Sequence, residues 1–355
     1  MPIQTAADSI SNSAGSPYGF KNRIINGAMV IDQRNAGASV SATNAELYTV
    51  DRFKCLQGIA TSKFTVQQSS TVPTGFTKSV VITSSSAYTV LSSDYFLYRQ
   101  TIEGFNVADL GWGTANAQTV TLSFWVRSSL TGTFGGALGN GASNRSYPFS
   151  YTINAADTFE YKTVTIAGDT SGTWETTTNA GIVVGWSIGM GSTYEGTANA
   201  WAGTFYGAPT GSVDLVATNG ATLYITGVQL EKGSQATAFD WRPYGTELDL
   251  CERYCRRQGD GLTGVCSGTG AVYFVVSFLP PMRTTPTVTL TDVSVKITDN
   301  YSADYQSSAS TITDSSLLDF GGRINVNGFT SITTGRVYQI YNNTNGYIFL
   351  FSAEL

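Results

Sequence analysis

The chain is predicted to be all-β, on three observations. Short runs of alternating apolar and polar residues recur from residue 22 to the end, separated by Gly- and Asn-containing turns. Charged residues are only 13% of the chain, so Ser, Thr, Asn, Gln and Gly must supply the polar surface, as in many β-rich proteins. A single stretch, Thr246–Arg257, carries a helical pattern. Together these predict an N-terminal arm (residues 1–21), a jelly-roll β-sandwich (22–245), a short linking helix (246–257) and a smaller C-terminal β-sandwich (258–355).

The elements are justified in chain order. MPIQTAADSISNSAGSPYGF is small and polar, with Gly15, Pro17 and Gly19, and suits a flexible arm that docks on a larger assembly. It has neither a basic n-region nor an apolar h-region, so no secretory signal is expected; an extracellular protein of this kind can leave its cell by lysis. Strand runs follow at Lys63–Gln68, Ser79–Thr83, Val120–Arg127, Lys162–Ile166, Ile182–Ile188 and Ala221–Leu230. Of these, VTLSFWVR and LYITGVQL alternate most clearly; Trp125 in the first and Trp186 in the alternating Ile182–Ile188 are expected in the core. The Gly-rich Gly132–Gly141 and Asn219–Gly220 read as turns. Thr246 is an N-cap candidate for the helix, with Glu247 in its first turn and Arg256 and Arg257 in its last. Leu248, Cys251 and Cys255 share a face that must pack on something, because so short a helix is marginal alone. Strand runs then resume at Ala271–Phe278, Thr287–Leu290, Val293–Ile297, Arg336–Ile340 and Tyr347–Phe351.

Composition excludes several chemistries. Histidine is absent, which removes Ser-His-Asp and Cys-His catalysis and His-ligated metals. Net charge is -5, and the one dense basic cluster, Arg253, Arg256 and Arg257, is too short for a phosphate-binding stripe, so no nucleic-acid partner is expected. No apolar run approaches the length of a membrane-spanning helix, and no membrane insertion is expected. The four cysteines match no zinc spacing, and buried thiols are expected.

Eight segments carry a resemblance. They are NRIINGAMVIDQRN (22–35), YTVDRF (48–53), TIEGFNVADLGW (101–112), TLSFWVRS (121–128), NRSYPFSY (144–151), YITGVQLE (224–231), FDWRPY (239–244) and ELDLCERY (247–254). In this order and spacing, across residues 22–257, they resemble a bacteriophage module found in tail fibres and related appendages, itself similar to carbohydrate-binding jelly rolls. The Pro-Met-Arg-x-x-Pro stretch from Pro281 and the ending Ser352–Leu355 resemble the variable distal domains that follow it. The resemblance implies a homotrimer, a place in the virion, contacts to other virion proteins through the arm, and attachment to a host-surface polysaccharide. A head fibre, decoration or tail-tip component touching only other virion proteins is the alternative. A glycan-depolymerising enzyme ranks last. Glu103, Asp109, Glu160, Asp169 and Glu175 could supply paired acids, but sequence cannot pair them and no β-helix repeat is present.

Sugars offer C–H faces to aromatic rings and hydroxyls to amides, carboxylates and guanidiniums. Trp174, Tyr194, Trp201 and Tyr206, with Phe205, crowd one Gly-rich region and are the candidate carbohydrate site, or else are core or subunit-interface residues. Tyr305, Tyr341, Asn342 and Asn343 are the candidate distal receptor surface, or else ordinary strand residues. No cofactor is expected. A structural calcium is compatible with Asp51, Asp94, Asp109, Glu231 and Asp240, although no spacing resembles a calcium loop.

Overall fold

A computed structural model describes residues 21–355 except 269, 292–294, 300–303, 308–309 and 342–345; residues 1–20 of the arm therefore lie outside the described residues, as do Asn342 and Asn343. The chain divides into two units after Pro243. Both are almost wholly β, as predicted.

The first unit contains β1 (Val40–Ser41), β2 (Leu47–Tyr48), β3 (Phe53–Gln57), β4 (Phe64–Ser69), β5 (Ser79–Ser84), β6 (Tyr95–Glu103), β7 (Val120–Ser128), β8 (Gly132–Asn140), β9 (Ser146–Ile153), β10 (Glu160–Ile166), β11 (Ala180–Met190), β12 (Glu195–Gly196), β13 (Ala208–Pro209) and β14 (Thr222–Lys232). Two six-stranded sheets form from them, in the orders β1-β4-β5-β14-β7-β10 and β2-β3-β6-β11-β8-β9. Alternation drives the pairing. Val120, Leu122, Phe124 and Val126 of the first sheet and Val184, Trp186 and Ile188 of the second are fully buried in one shared core. On β14 the core set is Leu223 and Ile225, then Val228 and Leu230, a change of parity. A bulge between Thr226 and Gln229 causes it: Thr226 faces Trp125 and Gln229 faces Ser123, so β14 carries one extra residue.

Two sequence readings are corrected here. Gly132–Gly141 is not a turn; residues 132–140 form β8, hydrogen-bonded between β11 and β9. Glycine is tolerated there because no room exists for more: a Cβ on Gly136 would lie 2.3 Å from the Gly185 carbonyl oxygen and 2.6 Å from the Phe149 ring. Trp125 is not core either. Phe124 and Val126 take the inward positions of β7, and the alternation puts Trp125 half-buried on the opposite face.

Side chains of the segment 22–35 serve the fold. Asn22 donates to the Val228 carbonyl at 3.0 Å and accepts from the Leu230 amide at 3.1 Å. Asn26, fully buried, donates to the carbonyls of Ile31 (2.8 Å) and Asp51 (3.0 Å) and accepts from the Ile31 amide (3.0 Å). Asp51 accepts from the backbone and side chain of Gln33 at 2.8 and 2.6 Å, while burial pushes its carboxyl upward. These bonds supply partners to backbone groups that water cannot reach.

The second unit opens with α1 (Tyr244–Glu252), followed by β15 (Cys255–Gln258), β16 (Thr263–Cys266), β17 (Ala271–Ser277), β18 (Thr287–Leu290), β19 (Lys296–Thr298), β20 (Asp304–Gln306), β21 (Thr311–Leu318), β22 (Gly321–Asn327), β23 (Val337–Tyr341) and β24 (Phe349–Ser352). A seven-stranded sheet, β20-β19-β23-β16-β17-β22-β21, and a three-stranded one, β15-β24-β18, share a core that includes Phe274, Ile297, Ile324, Phe349 and Phe351. The helix is shorter than the predicted 246–257 and begins before Thr246. Cys255–Gln258, including Arg256 and Arg257, pairs instead with Phe349–Ser352, a partner some ninety residues downstream that helical periodicity cannot reveal.

Asn26 also holds a left-handed backbone conformation (φ 60°). Asn26→Ala is expected to lower the unfolding free energy by about 2–4 kcal/mol, because it strands several buried polar groups and puts alanine in a strained conformation. Urea denaturation checks this, and a loss below about 1 kcal/mol would contradict the role assigned to the network.

Candidate functional site

Small side chains converge on the outer face of the second sheet. Gly185 of β11 lies opposite Arg99 of β6 and Ala137 of β8, and Val183 lies opposite Gly139. Their neighbours Val184, Trp186 and Leu138 are the fully buried inward residues, so this face looks away from the core. A low floor lets longer side chains at its edges stand as walls, which makes a groove. Its narrow end, about 30 Å³, is lined by Gly139, Gly185, Arg99, Arg145, Phe205 and Tyr206. Past Leu97 and Ser143 it widens to about 380 Å³, lined by Tyr95, Tyr194, Phe205 and Glu46.

The aromatic wall comes from one excursion between β11 and β14. Its base is closed where β12 and β13 pair in parallel, with Glu195 opposite Ala208. Its tip is fastened by Ser146 at the start of β9. Ser146 and Ala202 exchange two backbone hydrogen bonds, of 2.8 and 3.2 Å. The Ser146 hydroxyl donates to the Thr204 carbonyl at 2.6 Å and accepts from the Tyr206 amide at 3.0 Å. Tyr194 packs edge-on against Tyr95 and Phe205, with ring centroids 5.5 and 5.8 Å away. The half-buried rings are therefore held in place before any ligand arrives.

The charged groups are equally constrained. Asp169, 2% exposed, accepts two hydrogen bonds from Arg145, at Nε (2.6 Å) and Nη2 (2.7 Å), and a third from the Ser171 amide (3.0 Å). The Arg145 guanidinium also lies 6.0 Å above the Trp201 ring. Its hydrogen bonds to Asp169 raise the Arg145 pKa further above its already high ordinary value. Arg99 pairs with Glu46, which accepts from Lys54 at 2.8 Å as well. Burial acts to raise the Glu46 carboxyl, but the hydrogen bonds and charges of Lys54 and Arg99 outweigh it, and the carboxyl titrates below its usual range. Burial lowers the Lys54 ammonium.

Of the four residues expected to bind sugar, Tyr194 and Tyr206 stand in the groove wall. Trp174 and Trp201 do not line the groove. They pack edge-on with Trp112 and Tyr147 at centroid distances of 4.7 to 5.6 Å, against the edge of the core. Their indole N–H groups donate to the carbonyls of Ser171 and Ala167. Arg99, Arg145 and the glycine floor were missed from the sequence, because nothing local marks them.

In the second unit, Tyr305 on β20 packs edge-on against the fully buried Tyr338, at 5.7 Å, and Tyr341 ends β23 opposite Lys296. The five acids compatible with calcium are each held separately: Asp51 by Gln33, Asp94 by Tyr88, Asp109 by Arg23, Glu231 by Thr237, and Asp240 by the backbone of Lys21 and Asn22. Among the described residues no three His, Cys, Asp or Glu side chains come together. Of the acids considered for cleavage, Asp169 is committed to Arg145. Burial acts to raise Glu160, but hydrogen bonds from Lys162, Ala155 and Asn154 prevail and push it down to about 2.

No protein-family model matches this chain, and no curated protein matches it. Among solved structures it is similar to the enzymatically active domain of tailspike protein 4 of bacteriophage CBA120, at 13% identity and a TM-score of 0.34, covering 60% of this chain and 21% of that one. It is similar also to the family 11 carbohydrate-binding module of Clostridium thermocellum in complex with a β-1,3-1,4-mixed-linked tetrasaccharide (11% identity, TM-score 0.29, covering 57% of this chain and 100% of that one). A third is the N-terminal cellulose-binding domain of the Cellulomonas fimi β-1,4-glucanase C (12%, 0.24, 49% and 90%). At these values a shared ligand does not follow.

Asp169→Ala removes both anchors of Arg145 and leaves the Ser171 amide without its acceptor. A loss of about 1–3 kcal/mol in urea denaturation is expected, with a shift in tryptophan emission as Trp201 loses its cationic neighbour. An unchanged midpoint and spectrum would contradict the anchoring.

Proposed function

We propose that this protein is a non-catalytic virion component, a tail fibre or similar appendage, that holds a host-surface glycan in the groove across its second sheet. The observation that carries the reading is the wall and floor of that groove. Tyr206, Phe205 and Tyr194 offer ring surface for sugar C–H faces, the floor of Gly139, Gly185 and Ala137 lets a chain lie close to the backbone, and Arg99 and Arg145 offer fixed donors to hydroxyl or carboxylate oxygens. Glu46 is the acid that lines it, and its ionisation is favoured rather than suppressed. A general acid for glycoside cleavage needs the opposite shift and a second carboxyl beside it. The virion setting rests on the ordered segments between residues 22 and 257. A homotrimer would present three grooves, and avidity then converts weak single sites into firm attachment, a gain on the order of 10²–10⁴.

Binding to purified host polysaccharide, measured by calorimetry, is expected to weaken at least tenfold in Tyr206→Ala and in Arg145→Ala, with no reducing ends released by the wild type. Failure of the protein to bind, or to compete with particle adsorption at saturating concentration, would turn the reading toward a structural component touching only other virion proteins.

A pH profile tests the electrostatics. The chain has no histidine, and Glu46, lowered below its usual range, keeps its charge as pH falls toward the ordinary carboxylate range. Affinity is therefore expected to stay flat between about pH 6 and pH 8. A tenfold change in that window would show that some other titrating group controls the site.

A further inference from the structure

The first sheet carries a different surface on its own outer face. The bulge in β14 places Gly227 at φ 61°, where a Cβ would meet the Phe76 ring at 2.7 Å and the Trp125 ring at 3.0 Å. Glycine at this point lets both rings seat on the sheet. Phe239 and Trp241 complete a triangle with Phe76, with centroids 4.8 to 5.3 Å apart, and Tyr161 lies 5.4 Å from Trp125. The five rings line an open groove of about 570 Å³, within the range of ligand sites. Trp241 is 55% exposed and Tyr161 43%.

The platform is fixed from beneath. Glu231 accepts from the amide and the hydroxyl of Thr237, at 2.8 and 2.6 Å, and Gln229 accepts from the Asp240 amide at 2.8 Å. The loop bearing Phe239 and Trp241 is thus tied at both ends. Apart from the rings, the groove is lined by Thr, Gly and Ala; no lining side chain carries a formal charge. This contrasts with Arg99, Arg145 and Glu46 on the other sheet.

We infer that this platform is a second carbohydrate site, taking uncharged sugar rings by stacking. The inference shares with the preceding proposal only the class of ligand. Two features favour a sugar over a protein partner. Trp241 and Tyr161 are about half exposed, and Phe76, Trp125 and Phe239 are mostly covered, so rings of about 150–250 Å² each leave a few hundred Å² exposed at most. A stable protein interface needs about 800 Å² per partner. Second, the lining supplies no charge to orient a protein, whereas a neutral pyranose needs ring faces and a hydroxyl contact, which the exposed Thr74 can give.

The experiment uses the full chain. Intrinsic tryptophan fluorescence and calorimetry would follow titration with neutral hexasaccharides (β-1,4-glucan, β-1,3-glucan and α-mannan) and with an acidic oligogalacturonate. At least one neutral probe is expected to perturb tryptophan emission at millimolar concentration. That response should fall at least tenfold in Trp241→Ala, whose exposed side chain can be removed without opening the core, and in Tyr161→Ala. It should persist in Arg145→Ala. Loss of the neutral response in Arg145→Ala but not in Trp241→Ala would place all binding in the other groove and overturn the inference while sparing the first proposal. No response to any neutral probe would also overturn it. So would conversion of an oligomer to monomer in Trp241→Ala by light scattering, which would make the platform a subunit interface.

Discussion

The paired hydrogen bonds between Arg145 and Asp169 are the contact on which the groove depends. Asp169 is buried, and its carboxylate is satisfied by the guanidinium and a backbone amide. Arg145 in turn bridges two structures: the Trp112–Trp174–Trp201 cluster behind it and the narrow end of the groove before it. A flexible arginine at this place would lose much of its side-chain entropy on meeting a ligand; a clamped one has lost it already. The aromatic cluster does not line the groove and meets it through Arg145, over the Trp201 ring.

The two sheets make different surfaces by one device, the removal of side chains. On the second sheet, glycine and alanine on adjacent strands clear a floor, and the walls that remain bear charge. On the first, a single extra glycine in a bulge clears space for two rings, and the walls bear none. In both cases the residues with the least side chain decide where the surface is concave. Position, more than residue type, separates these faces from the core: Phe124 and Trp125 are adjacent, and alternation sends one inward and the other out.

Much of this was legible in the sequence, and the misses have physical causes. The β-architecture followed from period-two alternation in segments such as VTLSFWVR. The aromatics of the Gly-rich region stand out in the sequence as a group, but nothing local separates Tyr194 and Tyr206, which stand in the groove wall, from Trp174 and Trp201, which pack on Trp112. Gly132–Gly141 reads as a turn because glycine signals one locally, while its meaning in β8 is close approach of backbone and ring across the sheet. The helix was drawn too long because its last residues keep helical spacing but find a strand partner at Phe349–Ser352. Arg99 and Arg145 were invisible because their roles come from neighbours far away in the chain, Glu46 and Asp169. Asn22 and Asn26, part of the segment resembling the phage module, were prominent in sequence and proved to anchor the first strands, with no place in either groove.

The most direct test of the account is a structure of the protein with a host-surface oligosaccharide bound. The account predicts sugar density lying across β6, β11 and β8, with a ring face against Tyr206 or Phe205 and oxygens within hydrogen-bond distance of Arg145. Saturating oligosaccharide that leaves this groove empty, while ordering elsewhere on the chain, would contradict it.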